Sequence, residues 1–238
     1  MAASMARAQG ASVPVGSEWW FPPSDQRSRW FPQGVHVLPD AVLLTAYLHG
    51  ADGKNHGSRI TEVDRETGRH RHVPLLGQDG GPLRIHAGGI AVLGDRVYVA
   101  ATRKGLAVLD RATYAPQGWV KPAGDLRYSF CSATPDGRLV VGEYDRHEPG
   151  RLWCGEPGGS AGRWWTGAPQ MQGAAYDGRE WWISSSRGKF GRGWLLGPRS
   201  RRLPAGPEDL AWDPHGRHVW TVTEYAWRRR LLRVQVER

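Results

Sequence analysis

Five segments of similar pattern recur along this chain, and their spacing constrains the fold more than any other feature of the sequence. Each segment begins with a small or polar cluster, continues with two or three apolar residues, reaches a turn and is followed by a strand-like apolar run. Equivalent positions lie 55, 43, 41 and 36 residues apart, at Gly34, Gly89, Ser132, Gly173 and Asp209. Because one four-stranded blade of a β-propeller takes about 40–50 residues, the repeat predicts five blades.

The apolar run of each repeat is apolar along nearly its whole length, as in AVLLTAYL at 41–48 and RVYVAAT at 96–102. Strands that are covered on both faces have this pattern, whereas a strand with one solvated face alternates between apolar and polar residues. Neighbouring blades cover both faces of a propeller blade, so the pattern favours a propeller over a sandwich. The 32 Gly and 17 Pro residues fall between these runs, which is typical of an all-β protein with many turns.

The last repeat supplies only three strands, in the segments DLAWD, HVWTVTEY and RLLRVQVE. An unassigned apolar piece, EWWFPP at 18–23, precedes the first repeat. We predict that residues 18–21 form the outer strand of the fifth blade and close the ring, which removes an open sheet edge. The sequence thus predicts a disordered tail over 1–16 and one five-bladed β-propeller domain over 17–238.

The net charge of +9 and the pI near 10.1 would by themselves suggest an anionic partner such as nucleic acid. However, 28 of the 32 basic residues are Arg in a chain rich in Ala, Gly and Pro, a composition expected of a GC-rich coding sequence. The densest basic groups, at 199–202 and 228–230, lie in or beside turns without a repeating aromatic pattern that could stack on bases. Nucleic acid is therefore an unlikely partner.

The chain has no run of about 18 apolar residues, so no transmembrane helix is predicted. The first 18 residues contain no apolar core of a signal peptide, which predicts a cytoplasmic protein for the chain as given and a secreted one if its N-terminus was trimmed. Cys131 and Cys154 are 23 residues apart without a CxxC partner. They are either two free core thiols, which is our prediction, or one disulfide. The oligomeric state is not indicated.

Propeller topology predicts which residues converge, because the start of the inner strand and the end of the second strand meet at one face of the disc. The starts of the inner strands supply Gln33, His86, Ser129, Cys131, Gln172, Glu208 and Asp209. The ends of the second strands supply Tyr47, His49, Thr102, Arg103, Glu143, Tyr144, Ser185, Arg187, Glu224 and Tyr225. Polar groups thus flank apolar strands in every blade, and buried polar groups must be paired or functional.

Within this ring we predict His86, Glu143 and Glu224 as catalytic acid/base residues, since an imidazole titrates near neutral pH and a carboxylate can partner it. The predicted substrate-binding residues are Gln33, Tyr47, Arg103, Tyr144, Gln172, Arg187, Glu208, Asp209 and Tyr225. Each also has a structural interpretation. The amides can satisfy backbone groups around a wet channel, the acids can hold turn amides or pair with Arg187, and His86 can make a structural hydrogen bond.

The common sequence motifs of metal, nucleotide and redox-cofactor sites are absent. The chain lacks HExxH, paired Cys motifs and the DxDxDG loop, so no metal site is predicted, although a channel cation bound by acidic residues stays open. The P-loop and GxGxxG are also missing, so neither a nucleotide phosphate nor a redox cofactor is predicted. The loop HGADGKNHGS at 49–58, polar and rich in glycine, is predicted to be a lid or substrate-recognition loop, with a mobile surface hairpin as the alternative.

The order of the motifs resembles a family of actinobacterial propeller-type proteins that are predicted to be secreted and largely lack an assigned function. The motifs are PQG at 32–34, HAGG at 86–89, FCS at 130–132, MQG at 171–173, a Ser-Arg stretch at 184–187, EDL at 208–210 and TEY at 223–225. The resemblance covers residues 30–238. It implies a propeller fold and inward-facing residues at these positions but no reaction, so function has to be argued from the site.

We therefore predict a small-molecule-binding propeller that acts as a cofactor-independent lyase, isomerase, cyclase or hydrolase on a small polar or anionic substrate. The alternative is a non-catalytic lectin-like or protein-docking propeller, which the 13 Trp residues favour. An enzyme should place His86 within hydrogen-bonding distance of a carboxylate. A lectin should present an exposed Trp or Tyr flanked by Asn, Asp or Arg.

Overall fold

The structure, a computed structural model, describes residues 18–159, 161–213 and 215–236, which form five four-stranded antiparallel sheets. The first blade contains β2 (Trp30–Val37), β3 (Ala41–His49), β4 (Asn55–Asp64) and β5 (His70–Pro74). The second contains β6 (Ile90–Leu93), β7 (Arg96–Ala100), β8 (Leu106–Asp110) and β9 (Pro116–Val120). The third contains β10 (Phe130–Ala133), β11 (Leu139–Gly142), β12 (Arg151–Gly155) and β13 (Gly162–Thr166).

The last two blades follow the same up-and-down order. The fourth contains β14 (Met171–Tyr176), β15 (Trp181–Ser185), β16 (Gly193–Leu196) and β17 (Arg201–Leu203). The fifth contains β18 (Pro207–Asp213), β19 (His218–Thr223), β20 (Leu231–Gln235) and, beside β20, β1 (Glu18–Trp20). A 3₁₀ turn at Pro23–Asp25 leads from β1 towards the first blade. This arrangement is the predicted five-bladed β-propeller.

The inner strands of the blades make the ring. β2, β6, β10, β14 and β18 contact one another in that order, and β18 contacts β2 again. The approach is close enough to require glycine: a Cβ on Gly89 would lie 2.3 Å from the Cys131 nitrogen, and one on Gly173 would lie 2.4 Å from the Leu210 nitrogen. The glycines that mark the repeats are therefore needed where adjacent inner strands meet backbone to backbone.

Apolar clusters fill the wedges between neighbouring blades. Leu43 and Ile60 of the first blade pack with Ile90 and Val97 of the second, and equivalent clusters lie at the other four junctions of the described chain. Both faces of the middle strands are thus buried, which explains why their sequences do not alternate. Cys131 and Cys154 are buried free thiols in this core, as predicted.

The N-terminal strand pairs with the last strand of the fifth blade, with Glu18 opposite Arg233 and Trp20 opposite Leu231. Phe21, which follows it, is buried in the cluster between the fifth and first blades. Whether this strand is what holds the ring closed stays a prediction, and a truncation tests it below. The tail predicted over 1–16 lies outside the described residues. Within those residues, no helix has the length and apolarity needed to cross a bilayer.

Candidate functional site

A polar pocket of about 370 Å³ opens at the end of the channel where the inner strands begin. Every blade contributes to it, because the up-and-down path returns the second strand to the face from which the first one started. The lining residues are Gln33, His86, Gly88, Thr102, Arg127, Ser129, Tyr144, Gln172, Glu208 and Glu224. Residues from 33 to 224 thus meet in one recess, although the sequence separates them widely.

Eight residues that the sequence placed in the ring line this pocket, namely Gln33, His86, Thr102, Ser129, Tyr144, Gln172, Glu208 and Glu224. All of them except Thr102 and Ser129 were also predicted as catalytic or substrate-binding residues. The pocket therefore combines the predicted histidine with two acidic side chains. The arginine on its wall is Arg127, which the sequence analysis missed, rather than Arg103 or Arg187. Arg127 stands two residues before Ser129, so the two-residue period of an extended chain could have placed both on the same side.

Glu208 and Glu224 form a carboxyl pair on the floor of the pocket. Glu208 is only 3% exposed, Glu224 is half-buried, and their side chains hydrogen-bond to each other. Gln172 Nε2 donates to Glu208 Oε1 at 3.5 Å, and Gln33 Nε2 donates to Glu224 Oε2 at 3.4 Å. A hydrogen bond between two carboxyl groups requires one proton, so the pair holds a proton that neither residue would retain alone in water.

Burial raises the pKa of both glutamates, but the neighbouring charges and hydrogen bonds differ between them. The neighbours of Glu208 are acidic, namely Glu224 and Asp209, so its pKa lies well above the ordinary range. Burial also raises the pKa of Glu224, but hydrogen bonds from Tyr225 and Gln33 and the charge of Arg229 oppose the rise. The surroundings of Glu208 are thus the more acidic of the two, which favours the proton on Glu208.

Two tyrosines lie near the pair without lining the pocket. The Tyr225 hydroxyl donates to Glu224, and burial together with the Glu224 charge raises the pKa of Tyr225. Burial, Glu224 and Glu208 raise the pKa of Tyr47 to about 12. Both phenols consequently remain protonated hydrogen-bond donors at neutral pH.

His86 lies on the wall of the pocket, with an exposed edge and a ring face packed against Tyr47. The two ring centroids are 4.8 Å apart, and Tyr47 in turn stacks on Phe31 at 5.5 Å. Burial among these rings lowers the pKa of His86, so the imidazole is neutral at pH 7. Among the described residues no carboxylate hydrogen-bonds to it, so the structure does not supply the carboxylate partner that the sequence analysis required of an enzyme.

The bend that carries His86 is fixed by the first blade. The carbonyl groups on either side of it accept hydrogen bonds, Ile85 from Ser58 Oγ at 2.8 Å and Ala87 from Thr45 Oγ1 at 2.8 Å. Ala87 has a φ of 49°, a conformation that a non-glycine residue seldom adopts. These contacts hold the imidazole over the pocket.

The structure does not bring Glu143 into the pocket. Its carboxylate accepts a hydrogen bond from Arg151 Nε at 2.6 Å and another from the Arg127 amide at 3.3 Å. Burial would raise its pKa, but these hydrogen bonds prevail and lower it. Glu143 is thus an ionised partner of Arg151 rather than a partner of His86.

Three further predicted residues lie outside the pocket. Arg103 and Arg187 are exposed at the rim and do not line it. Asp209 is fully buried below the floor, where Oδ2 accepts hydrogen bonds from the Val35 amide at 3.3 Å and the Ile90 amide at 3.2 Å. These bonds connect the fifth blade to the first two blades. Asp209 is therefore a structural residue that does not line the pocket.

The Arg127 guanidinium makes no hydrogen bond or ion pair with the side chains of the described residues, so its charge is available to a ligand. Within the same part of the chain, no three His, Cys, Asp or Glu side chains are grouped to hold a metal ion. The pocket thus presents one exposed cation, one neutral imidazole and a singly protonated acid pair.

The loop at 49–58 forms a hairpin beside the pocket opening without lining the pocket. His49 pairs with Asn55, and the Gly50 amide donates to the Lys54 carbonyl at 2.8 Å. The Asn55 side chain donates to the Ile85 carbonyl, and none of the residues from 50 to 57 lines the pocket. The hairpin part of the sequence-based alternative agrees with this segment, and a role as lid or recognition loop stays a prediction.

The fold and the pocket together define a five-bladed β-propeller with a polar recess at one end of its channel. No family model matches the chain, and no curated protein matches it. Solved structures do resemble it. Glutaminyl cyclase from Myxococcus xanthus has a TM-score of 0.57 and 14% identity over 89% of this chain and 94% of its own.

The GH43_1 enzyme from Xanthomonas citri is similarly related, with a TM-score of 0.56 and 12% identity over 89% of this chain and 88% of its own. Hydrazine synthase from Kuenenia stuttgartiensis has a TM-score of 0.46 and 15% identity over 80% of this chain, which spans 61% of the hydrazine synthase chain. For the two structures with TM-scores above 0.5, identities this low establish the propeller fold alone and leave the function to the site.

Proposed function

We propose that this propeller is a cofactor-independent enzyme that moves protons on a small polar organic molecule bound at the channel mouth. The observation that carries the proposal is the buried Glu208–Glu224 pair, which shares one proton and opens onto the pocket. Paired acid and base catalysis usually relies on two titratable groups whose surroundings give them different pKa values. The propeller neighbours named as a cyclase and a GH43 enzyme support an enzymatic use of this architecture.

In this proposal Glu224 is the general base and Glu208 the general acid. Glu224 removes a proton from the substrate, while Glu208 donates its own proton to the atom that gains negative charge or leaves. Arg127 binds an oxygen or anionic group of the substrate, and Gln33 and Gln172 orient the pair. The neutral His86 imidazole donates or accepts one hydrogen bond at the wall.

The closeness of the two carboxyl groups narrows the reaction type. Glycoside hydrolysis needs carboxyl groups about 5–5.5 Å apart for retention or about 6.5–9.5 Å apart for inversion. Carboxyl groups that hydrogen-bond to each other are only about 2.5–3.0 Å apart between oxygens. The pair fits a proton relay between neighbouring substrate atoms, as in cyclisation, isomerisation or elimination, better than hydrolysis of a glycoside.

A reaction panel with matched variants tests this proposal. The panel includes a peptide with N-terminal Gln, small hydroxy and keto acids, and aryl glycosides as the class that the geometry disfavours. On any substrate turned over, Glu224→Gln should lower kcat by about 100-fold or more, as loss of proton transfer does, and His86→Ala, which removes only a hydrogen bond at the wall, should lower it less. The exposed Glu156→Gln should be unchanged. Full turnover by Glu224→Gln would overturn the assignment.

A lectin-like propeller is the second candidate, and one observation favours it. Trp164 on the outer strand β13 is 48% exposed, and the Arg151 guanidinium lies 5.7 Å from its ring centroid. An exposed aromatic face flanked by arginine is the arrangement predicted for a sugar-binding surface. Glycan binding that Trp164→Ala abolishes and His86→Ala leaves intact would establish this function instead. The resemblance to the actinobacterial propeller family remains a hypothesis.

A further inference from the structure

The arginine run at 228–230 contains a cation that the proposed function has not used. Arg229 lies in the loop between β19 and β20, the same loop that carries Glu224 and Tyr225, and its side chain is 0% exposed. Its neighbour Arg228 is exposed. A buried guanidinium loses its hydration, which is costly unless the surroundings replace it, so its contacts call for an explanation.

The guanidinium joins the Glu224 loop to the N-terminal segment. Nε donates to the Glu224 carbonyl at 3.0 Å, and Nη1 donates to the Ser28 carbonyl at 2.9 Å and to the Asp25 carbonyl. The same group lies 5.4 Å from the ring centroid of Phe31, the first ring of the stack that continues to Tyr47 and His86. Arg229 thus contacts both the loop of the acid pair and the aromatic wall of the pocket.

Residues of the N-terminal segment also contact the loop that carries Glu224. Gln26 Nε2 donates to the Arg229 carbonyl at 2.7 Å, and the Trp227 amide donates to the Gln26 carbonyl at 2.9 Å. The Arg27 guanidinium lies 3.5 Å from the Trp227 ring centroid. The loop that carries Glu224 is therefore held on its outer side at several points, and Arg229 is the contact that reaches back to Glu224 itself.

The charges packed around Glu224 make Arg229 the cation that faces it. Glu208 approaches from β18, Tyr47 from β3 and Tyr225 from the same loop. On the far side of Arg229, Asp25 and Arg59 form a buried ion pair whose charges compensate each other. Burial lowers the pKa of Arg229 to about 10, so it remains charged at neutral pH and its charge acts on Glu224.

We propose that Arg229 is a positioning residue that fixes the Glu224 loop and keeps Glu224 as the ionised member of the pair, leaving the proton on Glu208. Its positive charge lies beside one glutamate only, whereas Glu208 has the acidic neighbours Glu224 and Asp209. This inference rests on the proposed function in naming Glu224 as the base, but it can be tested without a substrate.

The first test locates the proton in the full-length protein. Carbon-13 NMR of protein labelled at the glutamate carboxyl, with signals assigned from Glu208→Gln and Glu224→Gln, should show Glu208 protonated and Glu224 ionised at pH 7. The opposite assignment would overturn the proposal whatever the variants of Arg229 do. This measurement does not require any Arg229 variant to fold.

The second test removes the charge. In Arg229→Gln the titration midpoint of Glu224 should rise by about one pH unit or more, a tenfold change in its proton affinity. Arg229→Lys should restore part of the shift, and Arg228→Gln, in the same loop but exposed, should leave the midpoint unchanged. A folded Arg229→Gln protein with the wild-type midpoint would overturn the proposal. If the midpoint shifts but no panel substrate is turned over, the proposed enzyme function fails and the role of Arg229 stands.

Discussion

Glutamate residues of this protein differ in ionisation because of the side chains they meet. Glu143 meets Arg151, and the resulting hydrogen bonds lower its pKa. Glu208 meets Glu224 away from water, and burial with a like charge raises its pKa. The sequence places Glu143 and Glu224 at equivalent strand ends, so the residue type alone could not separate them. The difference arises from tertiary partners, which set the pKa of a carboxyl group.

A half-buried histidine on the first inner strand, His36, predicts a loss of stability in acid. Burial, with a contribution from Arg111, lowers the pKa of His36 to about 4 in the folded protein. Because this pKa lies below the unfolded value, the stabilisation is present above pH 6.5 and is lost as the pH falls towards 4. The free energy of unfolding should fall by up to about 3 kcal/mol over this range through His36, at about 1.4 kcal/mol per pKa unit.

Urea denaturation between pH 4 and pH 7 measures this effect. His36→Gln cannot be protonated, so its free energy of unfolding should vary less with pH than that of the wild type. His147→Gln, at an exposed position, is the matched control and should keep the wild-type slope. Parallel curves for the wild type and His36→Gln would show that His36 does not titrate during acid unfolding.

At the scale of elements, the inner strands explain the glycines of the repeat. Gly89 and Gly173 sit where one inner strand touches the backbone of the next, so a side chain has no space there. The hairpin at 49–58 makes a contact that its composition does not predict. The Asn55 side chain hydrogen-bonds to the Ile85 carbonyl of the neighbouring blade connection. Local pattern predicts strands and turns, but contacts between neighbouring blades are outside its reach.

A single methyl group at the inner strands should be destabilising. In Gly173→Ala the new Cβ would lie 2.4 Å from the Leu210 nitrogen and 2.5 Å from the Asp209 Cα, both of them backbone atoms. Such overpacking costs about 1–3 kcal/mol or more. Gly158→Ala meets no atom within 4 Å and should be neutral. Equal thermal midpoints for the two variants would contradict the close approach of β14 and β18.

At the scale of the whole molecule, the two ends of the described chain share the fifth blade. β1 supplies the strand that the last repeat lacks, and the segment after it runs to the first blade past the loop that carries Glu224. The segment that follows β1 thus contacts the loop that carries Glu224. A propeller whose last sheet combines both ends avoids an open edge at its seam.

Two truncations test the closure of the ring. Removing residues 1–23 deletes β1 and Phe21, whose burial alone is worth about 3–5 kcal/mol in comparable Phe→Ala changes. At about 2–4 °C per kcal/mol for a chain of this size, Tm should fall by at least about 6 °C. Removing 1–16 should leave Tm nearly unchanged. Equal Tm values for both truncated proteins would contradict closure by the N-terminal strand.

The repeat pattern of the sequence is sufficient to predict the all-β class, the number of blades and the face at which polar residues converge. These follow from the repeat, because strand period, turn residues and blade length are local properties that survive without a partner. It also placed Glu208, Glu224 and His86 at that face, since the up-and-down path of a blade dictates where its strand ends lie.

Which of those polar groups contact each other depends on the folded arrangement of the blades. Glu143 binds Arg151, and Asp209 is buried beneath the floor of the pocket. Arg127 lines the pocket wall, where Arg103 or Arg187 was expected. Arg229 belongs to the basic run at 228–230, which the sequence places in or beside a turn. In the structure it is buried and contacts the loop that carries Glu224. Such pairings depend on distances across blades, and electrostatic partners acting over a few ångströms are not encoded in any local pattern.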